Sequence, residues 1–206
     1  MKTEKTAALP LFYTQVIGSL PRPKLVQDLL AAREQISPDR FTGLMDEMVA
    51  FAIRLQEQAG IDVVSDGEWR RTQYIREFLQ RVGGCEPIRP YTHQGEVKQT
   101  DVIVRRMAAP EPVFTKDAEF LVNHTDRCTK FALPGPFLIA VRYWHGDYSK
   151  DAYPTLRHFM EHLAEILGAE ARAAVRAGID IFQLDDPALT YYCDRRLISR
   201  GETHDD

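Results

Sequence analysis

Ala59-Gly60-Ile61-Asp62-Val63-Val64-Ser65-Asp66 is echoed further along the chain by Ala177-Gly178-Ile179-Asp180-Ile181-Phe182-Gln183-Leu184-Asp185. In each copy an amphipathic helix closes on a glycine and a short β-branched run follows. Acids then end the run: Asp66 and Glu68 in the first copy, Asp185 and Asp186 in the second. Glycine suits the left-handed position just past a helix end. The apolar run reads as a buried parallel strand. Acids past the C-terminal end of such a strand lie where α/β folds place their chemistry. Two copies predict two carboxylate-bearing strand ends facing one pocket.

Working outward, residues 14–19 read as a strand ending in small residues before the turn-forming Pro21-Arg22-Pro23. A short helix is expected over 24–33. Leu44, Met48, Phe51, Leu55 and Ala59 recur at helical spacing and form the apolar stripe of a helix that stops at Gly60. Tyr74, Ile75, Phe78, Leu79 and Val82 give a helix over 72–82 its apolar side. The stretch 85–112 contains several prolines and one strand, 101–105. A helix over 115–123 follows, then a strand over 130–133 that runs into Pro134-Gly135-Pro136. Pro154 suits the first turn of a long helix whose stripe is Leu156, Phe159, Leu163, Ile166, Leu167 and Ala174. A polar tail occupies 194–206.

About five strands, mostly separated by helices, imply a parallel sheet with right-handed crossovers. The sheet is either open and doubly wound or part of a (β/α)8 barrel. A whole barrel takes about 250 residues. With 206 residues, the chain looks like about five of eight βα units, in a single domain over 1–206.

The composition is that of a soluble globular protein, 44% hydrophobic and 27% charged. A net charge of −4 gives no reason to expect nucleic acid, which calls for a basic face. No apolar run approaches the ~20 residues of a membrane helix. Met1-Lys2-Thr3-Glu4-Lys5 lacks the long apolar core of a signal peptide. Cys85, Cys128 and Cys193 are odd in number and widely spaced, so they read as reduced thiols in a cytoplasmic protein.

Ile17-Gly18-Ser19 offers backbone N–H groups to a carboxylate or phosphate, or is simply a tight turn. Asp66-Gly67-Glu68-Trp69-Arg70-Arg71 gathers acids, an indole and guanidiniums at a strand end. Its arginines either serve a ligand or pair with acids at a helix start. Pro134-Gly135-Pro136 lets backbone approach a ligand, or is structural punctuation. In Asp185-Asp186-Pro187, adjacent buried carboxylates are costly unless paired with cations or a metal. Asp185 is the ligand-facing acid, while Asp186 either joins it or caps the next turn. Asp66, Trp69, Arg70, Trp144 and Asp186 are candidates to line the pocket. His158 and His162 stand at i, i+4 spacing without the glutamate of HExxH, and read as helix-face histidines. No catalytic residue and no metal ligand is assigned.

At these residues the sequence resembles the catalytic domain of cobalamin-independent methionine synthase and its relatives. The landmarks stand in that family's order: Ile17-Gly18-Ser19, the run from Gly60 to Glu68, Pro134-Gly135-Pro136, and the run from Gln183 to Leu189. The resemblance implies a (β/α)8 barrel of the superfamily that includes uroporphyrinogen decarboxylase. It also implies methyl transfer, from methyltetrahydrofolate or another donor, to a zinc-activated thiol such as homocysteine. By position, Ile17, Gly18 and Ser19 would hold the amino-acid carboxylate through N–H groups. Glu68 and Asp185 would bind its ammonium. Zinc would lower the thiol pKa so that thiolate is present at neutral pH for an SN2 displacement.

The sequence also departs from that family. Its zinc ligands are a His-x-Cys after strand six, a Glu after strand seven and a Cys after strand eight. This chain is read as ending after strand five and so lacks them, and Cys193 matches none. The family's donor-site Arg-Cys pair falls near Gly95-Glu96, its glutamate at Tyr191 and its tryptophan at Arg142, which argues against a folate donor. The expectation is the N-terminal portion of such a methyltransferase, acting on a small thiol or amino acid, without nucleic-acid or membrane partners. A non-catalytic alternative is a half-barrel that binds an amino acid or assembles as a homo-oligomer or with a complementary chain, because its sheet edges invite pairing. A third reading uses Asp66, Glu68 and Asp185 as acid/base groups, as glycosidases use paired carboxylates.

Overall fold

The structure, a computed structural model, describes residues 3–93, 96–108 and 111–193; the tail read over 194–206 lies outside them. In chain order the helices are α1 (Glu4–Ala7), α2 (Lys24–Ala31), α3 (Pro38–Gln58), α4 (Tyr74–Val82), α5 (Thr115–Asn123), α6 (Pro136–Tyr143), α7 (Gly146–Ser149) and α8 (Leu156–Ala177). The strands are β1 (Val63–Val64), β2 (Cys85–His93), β3 (Glu96–Ile103), β4 (Cys128–Pro134) and β5 (Ile181–Asp185). The chain divides into two compact units. The first is Met1–Tyr74, Phe114–Ala132 and Glu170–Gln183; the second is Ile75–Val113, Leu133–Ala169 and Leu184–Asp206.

The first unit holds β1 and most of β4 and β5, in the sheet order β1-β4-β5. β1 runs parallel to β4, with Val63 opposite Cys128 and Val64 opposite Thr129. β4 is buried along its whole length, as a strand covered on both faces must be. The strand expected over 14–19 contributes one parallel bridge, Gln15 to Val63. Among the described residues the sheet is not closed into a barrel.

The second unit holds an antiparallel hairpin of β2 and β3, with Cys85 opposite Ile103 and His93 opposite Glu96. The strand expected over 101–105 covers only the end of β3, which pairs antiparallel with β2 rather than joining a parallel sheet. The prolines hid the hairpin, because proline cannot donate to a ladder. The register shifts between Glu86 and Arg89, around Pro87. Pro90 is tolerated because both strands of a two-stranded ribbon are edges.

The repeated sequence is also a repeated structure. Gly60 (φ 77) and Gly178 (φ 104) are both left-handed. The Gly60 N–H donates to the Glu57 carbonyl and Ile61 to Gln56; Gly178 donates to Val175 and Ile179 to Ala174. Each helix therefore closes through the same pair of bonds, with glycine at the turn and isoleucine after it. The following aspartate then clasps a threonine, Thr14 just before the Gln15 bridge in the first copy and Thr129 on β4 in the second. Asp62 Oδ2 accepts the Thr14 N–H and hydroxyl, both at 2.8 Å. Asp180 Oδ2 accepts the Thr129 N–H at 2.9 Å and its hydroxyl at 3.0 Å.

α3 buries Met45, Val49, Ala52, Ile53 and Gln56. The stripe expected from the sequence lies one position off: Leu44, Phe51 and Leu55 are 37%, 53% and 44% exposed. Gln56 explains the error. A polar residue holds the inner face because its amide donates to the Ser65 carbonyl (2.8 Å) and accepts the Ser65 N–H (3.1 Å). α8 buries Phe159, Leu163, Ile166, Leu167 and Ala174, close to the expected stripe.

Candidate functional site

β1 leads into Ser65, whose backbone Gln56 has fixed. The chain then turns sharply through Gly67 (φ 64) and Glu68 (φ 56). Left-handed glutamate is uncommon and is held only where its surroundings enforce it. Here the Glu68 N–H donates to Asp66 Oδ1 at 2.9 Å and the Gly67 N–H to Ser65 Oγ at 3.2 Å. Arg22 Nη2 donates to the carbonyls of Glu68 (2.9 Å) and Arg71 (2.6 Å). A Cβ on Gly67 would stand 3.1 Å from Leu20. The turn aims the Glu68 carboxylate at Ser19, whose hydroxyl donates to Glu68 Oε2 at 2.9 Å. The two elements read separately in the sequence meet at this bond.

Behind the turn, Arg71 is 1% exposed and donates to the Ala132 carbonyl at 2.8 Å. Its guanidinium lies 3.9 Å from Glu68 Oε2 and 4.0 Å from Asp66 Oδ2, over the rings of Phe131 and Phe114. Asp66 Oδ2 and Arg71 Nη2 have no hydrogen-bond partner among the described residues. Asp66 thus shapes the Glu68 turn with one oxygen and faces a buried cation with the other. Arg70 is taken up by Asp46 (2.6 Å), Asp117 (3.6 Å) and the face of Phe120. Trp69 is 1% exposed, stacks on Phe51 and donates to the Leu20 carbonyl at 3.3 Å. Arg70 is thus held by ion pairs and Trp69 by ring stacking and an indole hydrogen bond.

Sequence reading passed over Lys130. It lies on β4, 2% exposed, and its ammonium donates to the Val16 carbonyl and, at 3.5 Å, to the Ile17 carbonyl. Gln183, from β5, donates to the same Ile17 oxygen at 3.1 Å. The available signal was a lone lysine inside the buried run Cys128-Thr129-Lys130-Phe131-Ala132-Leu133, since a buried ammonium needs specific acceptors.

The remaining candidates belong to the second unit. Asp185 ends β5, and its carbonyl accepts the Gly135 N–H at 2.7 Å. Asp186 accepts the N–H groups of Phe137 and Leu138, both at 2.9 Å. These first-turn amides of α6 have no acceptor within the helix. Asp186 therefore caps a helix, though α6 and not the turn that follows it. A Cβ on Gly135 would stand 2.4 Å from Asp186, so a side chain has no room there. Trp144 donates to the Tyr153 carbonyl at 3.0 Å. Tyr153 in turn accepts the Met107 N–H at 2.8 Å and lies 2.7 Å from His162 Nδ1.

Among the described residues no group of three or more His, Cys, Asp or Glu could hold a metal ion. They do not fit the zinc that the family resemblance implies. Burial pushes the Cys85 thiol up to about 12, helped by Asp101, and the Cys128 thiol up to about 11. No described helix is long and apolar enough to cross a membrane.

Residues 12–200 match the family described as the catalytic domain of cobalamin-independent synthase. A methionine synthase of Sulfurisphaera tokodaii is 29% identical over 190 residues, covering 88% of this chain and 53% of the relative. The 5-methyltetrahydropteroyltriglutamate–homocysteine methyltransferase of Thermotoga maritima is 28% identical over 186 residues, 88% of this chain and 25% of the relative. The chain thus spans about half the length of the first relative and a quarter of the second. A B12-independent methionine synthase from Shewanella sp. W3-18-1, solved with selenomethionine, superposes with a TM-score of 0.64 at 27% identity. That match covers 76% of this chain and 46% of the other. A structure from Listeria monocytogenes shares the fold at 22% identity and a TM-score of 0.65, over 96% of this chain and 63% of the other. The fold is of the (β/α)8-barrel type.

Proposed function

Because the chain belongs to the cobalamin-independent synthase catalytic-domain family, we propose that it carries the amino-acid-binding part of a site that methylates a small thiol such as homocysteine. The hydrogen bond of Ser19 to Glu68 carries this reading. An amino acid presents a carboxylate beside an ammonium. Here a loop of N–H donors stands beside an anionic acceptor. In the proposed pose the N–H groups of Ile17, Gly18 and Ser19 take the carboxylate, and Glu68 takes the ammonium. Asp185 is the second ammonium-binding carboxylate by family resemblance. Asp66 and Arg22 keep the Glu68 turn in place and Arg71 supplies the buried counter-charge. Residues 1–206 would act as the N-terminal portion of one such domain, in the cytoplasm.

The departures near Gly95-Glu96, Arg142 and Tyr191 do not exclude a folate donor. The Thermotoga maritima relative is named for a methyltetrahydropteroyl donor, so a methyl-folate is the donor class proposed here.

Calorimetry with homocysteine and methionine tests the reading. The protein is expected to bind both, and Glu68→Gln and Asp185→Asn each to weaken binding about tenfold, roughly 1.4 kcal/mol. Unchanged binding in Asp185→Asn removes that residue from the site. No binding by the unaltered protein overturns the proposal. A second reading, association with another chain, is favoured by the exposed apolar residues Leu44, Phe51 and Leu55 of α3. A monodisperse monomer in light scattering would dismiss it.

A further inference from the structure

The loop that offers N–H groups at residues 17–19 is fixed from behind. Two of its carbonyls, those of Val16 and Ile17, accept from the buried Lys130 ammonium, and the Ile17 carbonyl also accepts from Gln183. No peptide bond here is cis. In a trans peptide the C=O and N–H point in opposite directions. The Val16 carbonyl shares its peptide with the Ile17 N–H, and the Ile17 carbonyl shares its peptide with the Gly18 N–H. Carbonyls drawn inward onto Lys130 therefore turn both N–H groups outward, where Ile17 is 73% exposed. Among the described residues no hydrogen bond takes up either N–H. A carbonyl that accepts from a cation also polarises its peptide, which strengthens the N–H on the far side.

Charge gives a second, independent reason for a cation at this place. A ligand carboxylate bound near Ser19 must approach the Glu68 carboxylate, which lies 2.9 Å from the Ser19 hydroxyl. Like charges that close repel each other. Arg71, at 3.9 Å, faces Glu68, whereas Lys130 sits under the donor loop itself.

We propose that Lys130 is a positioning residue that makes this site selective for a free α-carboxylate, by orienting and polarising the peptides before Gly18. The inference rests on the amino-acid-binding reading above and adds to it the group that sets carboxylate preference.

The test is calorimetry with methionine and with methioninamide, which keeps the side chain and ammonium but replaces the carboxylate by a neutral amide. The unaltered protein is expected to prefer methionine by at least about tenfold. In Lys130→Met that preference should fall below about threefold, while methioninamide affinity changes by less than about threefold. A residue that only supports the fold would weaken both ligands alike and leave their ratio unchanged, so an unchanged ratio in Lys130→Met overturns the inference. If that variant does not fold, Gln183→Leu removes the other donor to the Ile17 carbonyl and is expected to lower the ratio several-fold; an unchanged ratio there overturns the inference. An unaltered protein that binds neither ligand overturns the amino-acid reading itself. One that binds both, with selectivity untouched by the variant, overturns only the role of Lys130.

Discussion

Asp180 holds Thr129 by three hydrogen bonds: its carboxylate accepts the threonine N–H and hydroxyl, and its own N–H donates to that hydroxyl at 3.1 Å. The second oxygen of Asp180 accepts from Thr3 at 2.6 Å, which ties the N-terminal segment to the same point. Thr129 is fully buried. Asp180→Ala is expected to lower unfolding free energy by roughly 2–3 kcal/mol, since the charge-assisted bonds are lost and the buried Thr129 hydroxyl proton is left without its acceptor. Urea denaturation would read this as a lower midpoint.

The chain Met107 N–H to Tyr153 hydroxyl to His162 Nδ1 gives the second unit an acid sensitivity. The hydroxyl accepts from Met107 and keeps a proton that it can donate to His162 Nδ1 when the imidazole is neutral. Burial and the nearby Arg106 hold the His162 pKa below its usual 6.5. The unfolded chain thus binds the proton more readily. Stability from this group is complete above pH ~6.5 and is lost as pH falls through the lower folded value. His162→Gln keeps an acceptor for Tyr153 and should flatten the melting temperature across that window. An identical pH profile in the variant would contradict this.

Cys85 and Cys128, with thiols at about 12 and about 11, carry almost no thiolate at neutral pH. Native protein treated with a thiol-alkylating reagent at pH 7 should leave both largely unmodified. Peptide mapping after the same treatment in urea should find both labelled. Rapid native labelling of Cys85 would place it in a more open and more cationic setting than burial beside Asp101 allows.

Gly135→Ala places a methyl group against Asp186, which meanwhile caps α6. The methyl is expected to cost at least about 2 kcal/mol, through overpacking and displacement of the cap. Asp186→Ala removes the cap alone and should cost about 1 kcal/mol. Thermal melts of the two variants give the order.

What was legible in the sequence was local. The glycine-closed helices and the acids after them depend on residues adjacent in the chain, so Gly60, Gly178, Glu68 and Asp185 stood out. The face of α3 did not, because Gln56 is inside for a partner, the Ser65 backbone, that periodicity cannot show. The hairpin was missed because Pro87 argues against a strand until a bulge absorbs it. Lys130 was missed for a related reason. Its acceptors, Val16 and Ile17, are remote in sequence and lie on backbone atoms that no residue letter encodes.

Glu68 keeps a left-handed backbone (φ 56) while presenting a carboxylate to Ser19. Folding and binding therefore want different residues at this position. The turn favours glycine by on the order of 1 kcal/mol, but glycine has no carboxylate to offer an ammonium. A mutant library sorted for heat resistance alone should drift toward glycine at 68, and the same library sorted for retention on immobilised methionine should return glutamate.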